Sequence, residues 1–156
     1  MTDLVEGAAL PAIDLAGPDG GRIDLQTYRG RPLVVYFYPK DDTAGCTREA
    51  QDFSAVYAEL QALGVELLGV SRDTPEKHRK FAAKYDLTVP LASADTDAAL
   101  EAFGVWVEKK LYGKTYMGID RSTFLFDAGG TLVRVWRKVR VPGHVDAVVT
   151  AARALS

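Results

Sequence analysis

Apolar residues along this chain fall into short runs, and the spacing inside each run names an element. The run Pro32-Leu33-Val34-Val35-Tyr36-Phe37-Tyr38 is continuous and rich in β-branched and aromatic residues. It predicts a strand buried on both faces. Pro39 ends it, and residues 40–45 form a polar loop. From Cys46 or Thr47 to Leu63 the period changes: Ala50, Phe53, Val56, Tyr57, Leu60 and Leu63 recur at helical spacing, and Gly64 is a stop. Residues 65–70 repeat the buried-strand pattern. Thr74-Pro75 opens a second helix to about Tyr85 with a cap followed by Pro at the first helical position. A short strand at 89–92 and a helix at 95–103, stopped by Gly104, come next. Strands at 122–126 and 131–136 flank Asp127-Ala128-Gly129-Gly130, a hairpin signal. A helix over 142–155 closes the chain. Near the start, residues 13–15 and 22–25 alternate around Gly17-Pro18-Asp19-Gly20-Gly21 and predict an N-terminal β-hairpin.

Strand–helix–strand–helix in the middle implies parallel strands, and the terminal hairpins add antiparallel ones. The expected fold is α/β and thioredoxin-like, with a central mixed sheet flanked by helices. The 156 residues fit one domain over 1–156, with no repeat or linker. Hydrophobic residues are 47% and charged residues 26%, which excludes disorder for the bulk of the chain. Nineteen Lys and Arg against twenty-one Asp and Glu leave a charge of -2. That balance argues against nucleic acid and against an anionic membrane surface as partners. The longest uncharged apolar run, 33–38, is far short of the roughly 20 residues a membrane helix needs. Met1-Thr2-Asp3-Leu4-Val5-Glu6 lacks the basic and apolar regions of a signal peptide, so a cytoplasmic location is expected.

Cysteine count changes the picture most. Cys46 is the single cysteine, which closes off an intramolecular disulfide, a CxxC redox pair and a thiolate zinc cluster. Cys46 lies where a buried strand feeds a helix after a short loop. The helix dipole and the unpaired first N–H groups there favour a thiolate. Cys46 precedes Phe53 by seven residues, a rotation of about 700°, so both share the inward face. Cys46 is then either a small buried residue or a reactive thiol. Thr43 either caps the helix or offers its hydroxyl to an oxygen substrate beside the sulfur. Pro39 ends the strand or shields a thiolate from water. Gly45 is a loop glycine or lets backbone approach a small ligand. Glu49, four residues before Phe53, suits a helix start, or it pairs with an arginine entering the same pocket. Arg121 is the candidate, sharing a strand face with Thr123 and Leu125. His78, among Glu76, Lys77, Arg79 and Lys80, and His144, at the start of the last helix, are expected on the solvated surface.

Together, Pro39-Lys40-Asp41-Asp42-Thr43-Ala44-Gly45-Cys46 resembles the P-x-x-x-T-x-x-C signature of peroxiredoxins. The stretch Val35-Tyr36-Phe37-Tyr38-Pro39-Lys40-Asp41 with Gly45-Cys46-Thr47 is similar to the PrxQ, or bacterioferritin comigratory protein, subfamily. Phe103-Gly104-Val105-Trp106, Tyr112-Gly113-Lys114-Thr115-Tyr116-Met117-Gly118-Ile119 and Arg121-Ser122-Thr123-Phe124-Leu125 form a second similar block. The resemblance covers nearly the whole chain. It implies a thiol peroxidase acting on hydrogen peroxide or organic hydroperoxides without a metal or organic cofactor. In it Cys46 is the peroxidatic cysteine, Thr43 orients the peroxide, Pro39 shields the site and Arg121 stabilises the thiolate. Backbone N–H groups near Gly45 and Cys46 hold the peroxide oxygens, and Glu49 positions Arg121.

The chain departs from the family pattern at three places. Ala44 replaces a common Pro, which removes one restraint on the loop. A resolving cysteine stands in many members five residues after the first, here Gln51, and in others about 36 residues on, near Ala82. A 1-Cys enzyme is therefore expected, reduced by a low-molecular-weight thiol, thioredoxin or glutaredoxin. The chain ends just after its last helix, where longer members carry arms, and a monomer or weak homodimer is expected. A peroxide sensor that relays oxidation to a partner protein is the alternative. A cysteine hydrolase needs a base near Cys46, and nothing in the sequence brings His144 there. A binding role independent of Cys46 would be insensitive to its loss.

Overall fold

The computed structural model describes residues 4–155, so Met1, Thr2 and Asp3 of the expected leaderless N-terminus lie outside the described residues. Strands β1 (Asp14–Ala16) and β2 (Arg22–Asp24) form the first hairpin. Then come β3 (Leu33–Phe37), α1 (Ala44–Ala62), β4 (Glu66–Ser71), α2 (Pro75–Tyr85), β5 (Leu91–Ser93) and α3 (Asp97–Ala102). Strands β6 (Trp106–Leu111) and β7 (Lys114–Ile119) pair with each other, β8 (Ser122–Phe126) and β9 (Leu132–Trp136) follow, and α4 (His144–Arg153) ends the fold.

Seven strands build the main sheet in the order β2-β1-β5-β4-β3-β8-β9. β3, β4 and β5 are parallel, as successive βαβ crossovers require, while β1, β8 and β9 add antiparallel pairs. This is the α/β, thioredoxin-like arrangement with a mixed central sheet and an N-terminal hairpin. Alternation along β3 sends Leu33, Val35 and Phe37 to one face and Val34, Tyr36 and Tyr38 to the other, all of them buried. The first face packs on α3 and the N-terminal segment through Leu100, Phe103 and Leu15. The second packs on α1, α2 and α4 through Phe53, Phe81 and Val148.

The β6–β7 hairpin is absent from the sequence-based expectation. Its turn places Tyr112 at φ 51° and Gly113 at φ 76°, the two positive dihedrals of a tight hairpin turn. Tyr-Gly is a weaker turn signal than Asn-Gly. The strands stand off the main sheet and carry Glu108, Lys109 and Lys110, so no alternation of burial marks them. Element ends also shift: α1 begins at Ala44, two residues earlier than expected, and α4 begins at His144, two residues later than expected. Both shifts are within the fraying that helix ends show.

Candidate active site

Strand β3 ends at the mouth of the second core, and residues 38–43 turn the chain into α1. Thr43 is the residue before the helix, with extended φ -101° and ψ 157°. Its hydroxyl makes no cap; it donates to the Lys40 carbonyl at 2.8 Å. Thr47 N–H is the first to reach back to the Thr43 carbonyl, at 2.8 Å. The N–H groups of Gly45 and Cys46 thus precede the helical ladder and have no side-chain cap. Cys46 is the third residue of α1 and turns inward as its phase with Phe53 requires; it is 1% exposed and belongs to the same apolar cluster.

Arg121 immediately precedes β8, which lies beside β3 in register. Its Nη2 donates to Cys46 Sγ at 3.3 Å and its Nη1 to Glu49 Oε1 at 2.6 Å. One guanidinium therefore joins a thiol and a carboxylate that stand one helical turn apart on α1. Glu49 is fully buried, and burial outweighs the attraction of Arg121, pushing its carboxyl up to about 7. Arg121 is itself held above its usual value: the nearby Glu49 and Cys46 charges overcome the opposing cost of burial. A Cβ added at Gly45 would sit 3.2 Å from Arg121 Nη2, so the absence of a side chain there gives the guanidinium its room. The structure thus brings together Cys46, Gly45, Glu49 and Arg121. Pro39 is half-buried and lines a neighbouring groove with Trp106 and Ile119, and Thr43 is exposed at the helix entry. Among the described residues no group of three or more His, Cys, Asp or Glu side chains is placed to hold a metal ion.

Both histidines correct the expectation of a solvated surface. His144 is 7% exposed, with Nε2 2.8 Å from Thr123 Oγ1 and its ring edge-on to Phe53 and Trp136. Burial, and secondarily the Arg121 charge, push it down to about 4. His78 is 1% exposed. Its Nε2 lies 2.9 Å from the Ala92 carbonyl and its Nδ1 2.6 Å from Asp41 Oδ2. Tyr38, kept protonated by burial, donates to Asp41 Oδ1 at 2.6 Å. The Asp41 N–H donates to Asp73 Oδ2, which also accepts from Ser71 Oγ. The signal for both histidines was helical phase. His78 precedes Phe81 by three residues and His144 precedes Val148 by four, which puts each ring on a buried face.

A family model, the AhpC/TSA family, matches residues 7–135. The chain belongs to the AhpC/TSA family. Relatives place it with the PrxQ and bacterioferritin comigratory proteins of that family. Peroxiredoxin Bcp of Xanthomonas campestris is 46% identical, over 99% of this chain and 98% of the relative. Peroxiredoxin Bcp of Bacillus subtilis is 44% identical over 96% of each. A solved structure of the X. campestris bacterioferritin comigratory protein, described for its alkyl peroxide reduction activity, superposes with a TM-score of 0.88, covering 96% of this chain and 98% of that one at 44% identity. A PrxQ variant of Xylella fastidiosa gives 0.92, with 99% and 98% covered at 34% identity. AhpC/TSA membership at this level makes the protein a peroxiredoxin, a thiol peroxidase by class.

Proposed function

We propose that Cys46 reduces hydrogen peroxide and organic hydroperoxides in a 1-Cys cycle. The observation that carries this reading is the guanidinium of Arg121, held by Glu49 and donating to Sγ at 3.3 Å. The Cys46 thiolate attacks one peroxide oxygen in line with the O–O bond. An S–O bond forms and the O–O bond breaks. The departing oxygen takes a proton and leaves as water or alcohol, and Cys46 becomes a sulfenic acid. Arg121 and the uncapped N–H groups of Gly45 and Cys46 are aimed at the charge that develops on the oxygens. Thr43 orients the peroxide, Pro39 keeps water from the sulfur, and Glu49 positions Arg121. No metal or organic cofactor enters the step.

Regeneration needs a thiol from outside the chain. Serine variants of the X. campestris relative replace two cysteines 36 residues apart. The position 36 residues after Cys46 is Ala82, and Cys46 is the single cysteine of the sequence. A low-molecular-weight thiol, a thioredoxin or a glutaredoxin therefore attacks the sulfenic sulfur and releases water. A second thiol then resolves the mixed disulfide. The enzyme works as a monomer or weak homodimer in the cytoplasm; no helix among the described residues is long and apolar enough to cross a membrane.

The test is single-turnover oxidation by hydrogen peroxide, followed by thiol titration, with Cys46→Ser as the blank. The expected rate exceeds that of a free thiol at the same pH by at least about a hundredfold, the scale of one well-placed donor. A rate equal to a free thiol's would remove the peroxidase reading. Rapid oxidation without turnover by any small thiol or thioredoxin would favour a relay.

A further inference from the structure

Next to the site lies a groove that the peroxide chemistry leaves unused. It holds about 340 Å³ between the β3–α1 loop and the β6–β7 hairpin, and its walls include Pro39, Trp106, Met117 and Ile119. Two lysines stand at it, Lys40 on the loop and Lys109 on β6. Among the described residues neither ammonium makes an ion pair or a hydrogen bond. Arg72 lines the groove as well but is already engaged. It donates to the Ala94 carbonyl at 3.2 Å, pairs with Asp97 at 3.3 Å and lies over the Trp106 ring, 5.4 Å from its centroid.

The hairpin sets where Lys109 lies. It pairs with Tyr116 across β6 and β7, and its stem crosses Gly118: a Cβ at Gly118 would stand 3.1 Å from Lys109 Cδ. The side chain is half-buried, and burial pushes the ammonium below the usual lysine range; Arg121 pushes the same way, while Asp120 and Cys46 pull it back. A partly desolvated cation without a salt-bridge partner favours an arriving anion. The apolar walls favour a ligand with an organic body. Pro39, and Ile119 two residues before Arg121, put one end of the groove next to the pocket of the sulfur. Hydrogen peroxide has nothing to place in such a groove. A thiol from outside, which a single-cysteine cycle needs in every turnover, has a body and charges to place there.

We propose that this groove is the docking site of the reductant, a small carboxylate-bearing thiol of the glutathione type, with Lys109 and Lys40 receiving its two carboxylates and Trp106, Met117 and Ile119 lying against its backbone. This rests on the 1-Cys peroxidase reading above. Docking raises the concentration of the thiol at the sulfenic acid. Its sulfur attacks the Cys46 sulfur: an S–S bond forms, the S–O bond breaks, and the departing hydroxide takes the thiol's proton and leaves as water. A second thiol molecule then attacks the mixed disulfide, returning the Cys46 thiolate and releasing the small-molecule disulfide.

The experiment has a binding arm and a rate arm. S-methylglutathione, whose sulfur cannot react, is titrated into the reduced enzyme and followed by tryptophan fluorescence; the response should vanish in Trp106→Phe, which leaves Trp136 in place. Capture of the preformed sulfenic acid is then timed by intact mass with glutathione and with its diethyl ester, which lacks both negative charges. Wild type should prefer glutathione about fivefold, the upper end for an ion pair at a half-exposed site. Lys109→Met should bring that ratio close to one and leave oxidation by hydrogen peroxide within about twofold. Lys80→Met, which removes the same charge from the exposed face of α2, should keep the wild-type ratio. No Trp106 response, a ratio unmoved by Lys109→Met, or an equal loss in Lys80→Met overturns the docking site, while a fast wild-type oxidation leaves the peroxidase intact. A charge preference found instead in oxidation, with 4-carboxycumene hydroperoxide favoured over cumene hydroperoxide, assigns the groove to the peroxide and overturns the thiol. A wild-type oxidation rate no better than a free thiol's removes both readings.

Discussion

Arg121 is the residue on which the site turns, because its two nitrogens serve different partners. Nη1 spends its hydrogen bond on Glu49 at 2.6 Å, which fixes the plane of the guanidinium. Nη2 is then aimed at Cys46 Sγ and grazes the space where a side chain at position 45 would begin. Gly45→Ala should therefore act on chemistry more than on stability. The new Cβ at 3.2 Å displaces the guanidinium by a few tenths of an ångström, and alanine is the better helix former. Oxidation of Cys46 by peroxide should fall about tenfold, with the melting temperature unchanged or slightly raised. Stopped-flow oxidation beside a thermal melt reads both; an unaltered rate would mean that the guanidinium position is not critical.

At the scale of elements, α1 and α4 bring two titrating groups to the same buried face, and their effects on stability oppose each other. His144, at the start of α4, is pushed down from 6.5 to about 4. The unfolded chain binds more protons there between about pH 4 and 6.5, so this group makes stability rise with pH across that window. Glu49, on α1, is pushed up from 4.5 to about 7. The folded chain binds more protons between about pH 4.5 and 7, so this group makes stability fall as pH rises. Wild type should show little net slope from these two groups. Glu49→Gln should expose the rising His144 slope, and His144→Phe should expose the falling Glu49 slope, each a swing of about 2 kcal/mol over its window. Urea unfolding at pH 4.5, 5.5 and 6.5 gives the slopes directly; parallel curves for all three proteins would refute the opposition. Among the described residues, the buried carboxyl oxygen Glu49 Oε2 and the Tyr36 hydroxyl have no hydrogen-bond partner. Both lie on this face, where they add to the cost of ionising Glu49.

For the whole molecule, the feature that shapes the proposed cycle is that Cys46 is the single cysteine of the sequence. In the proposed 1-Cys cycle the oxidised form is relieved by a thiol arriving from outside. With peroxide in excess and thiol absent, the sulfenic acid should persist and advance to sulfinic and sulfonic acid. Intact mass should show two-oxygen and three-oxygen adducts confined to Cys46 and absent from Cys46→Ser. Their absence at high peroxide would point to a protective reaction of the sulfenic acid within the fold.

Local signals were enough for the architecture. The continuous apolar runs of β3, β4 and β8, the helical period of α1 and the cap at Thr74 are all consequences of residues adjacent in sequence, and all are realised. The inward aim of Cys46 and Glu49 followed from helical phase alone, and Arg121 from its place on a strand face. Tertiary structure decided what depends on which elements meet. The β6–β7 hairpin leaves little mark on the local pattern because it packs too little to impose alternation on its sequence. The Thr43 hydroxyl turned back to Lys40 instead of capping α1, a choice made by the loop's path. His78 and His144 looked like surface residues because their neighbours in sequence are polar, yet their partners are Asp41, 37 residues away, and Thr123, 21 residues away. A polar side chain on a helix reaches solvent or core according to what packs over it, and only the folded sheet settles that.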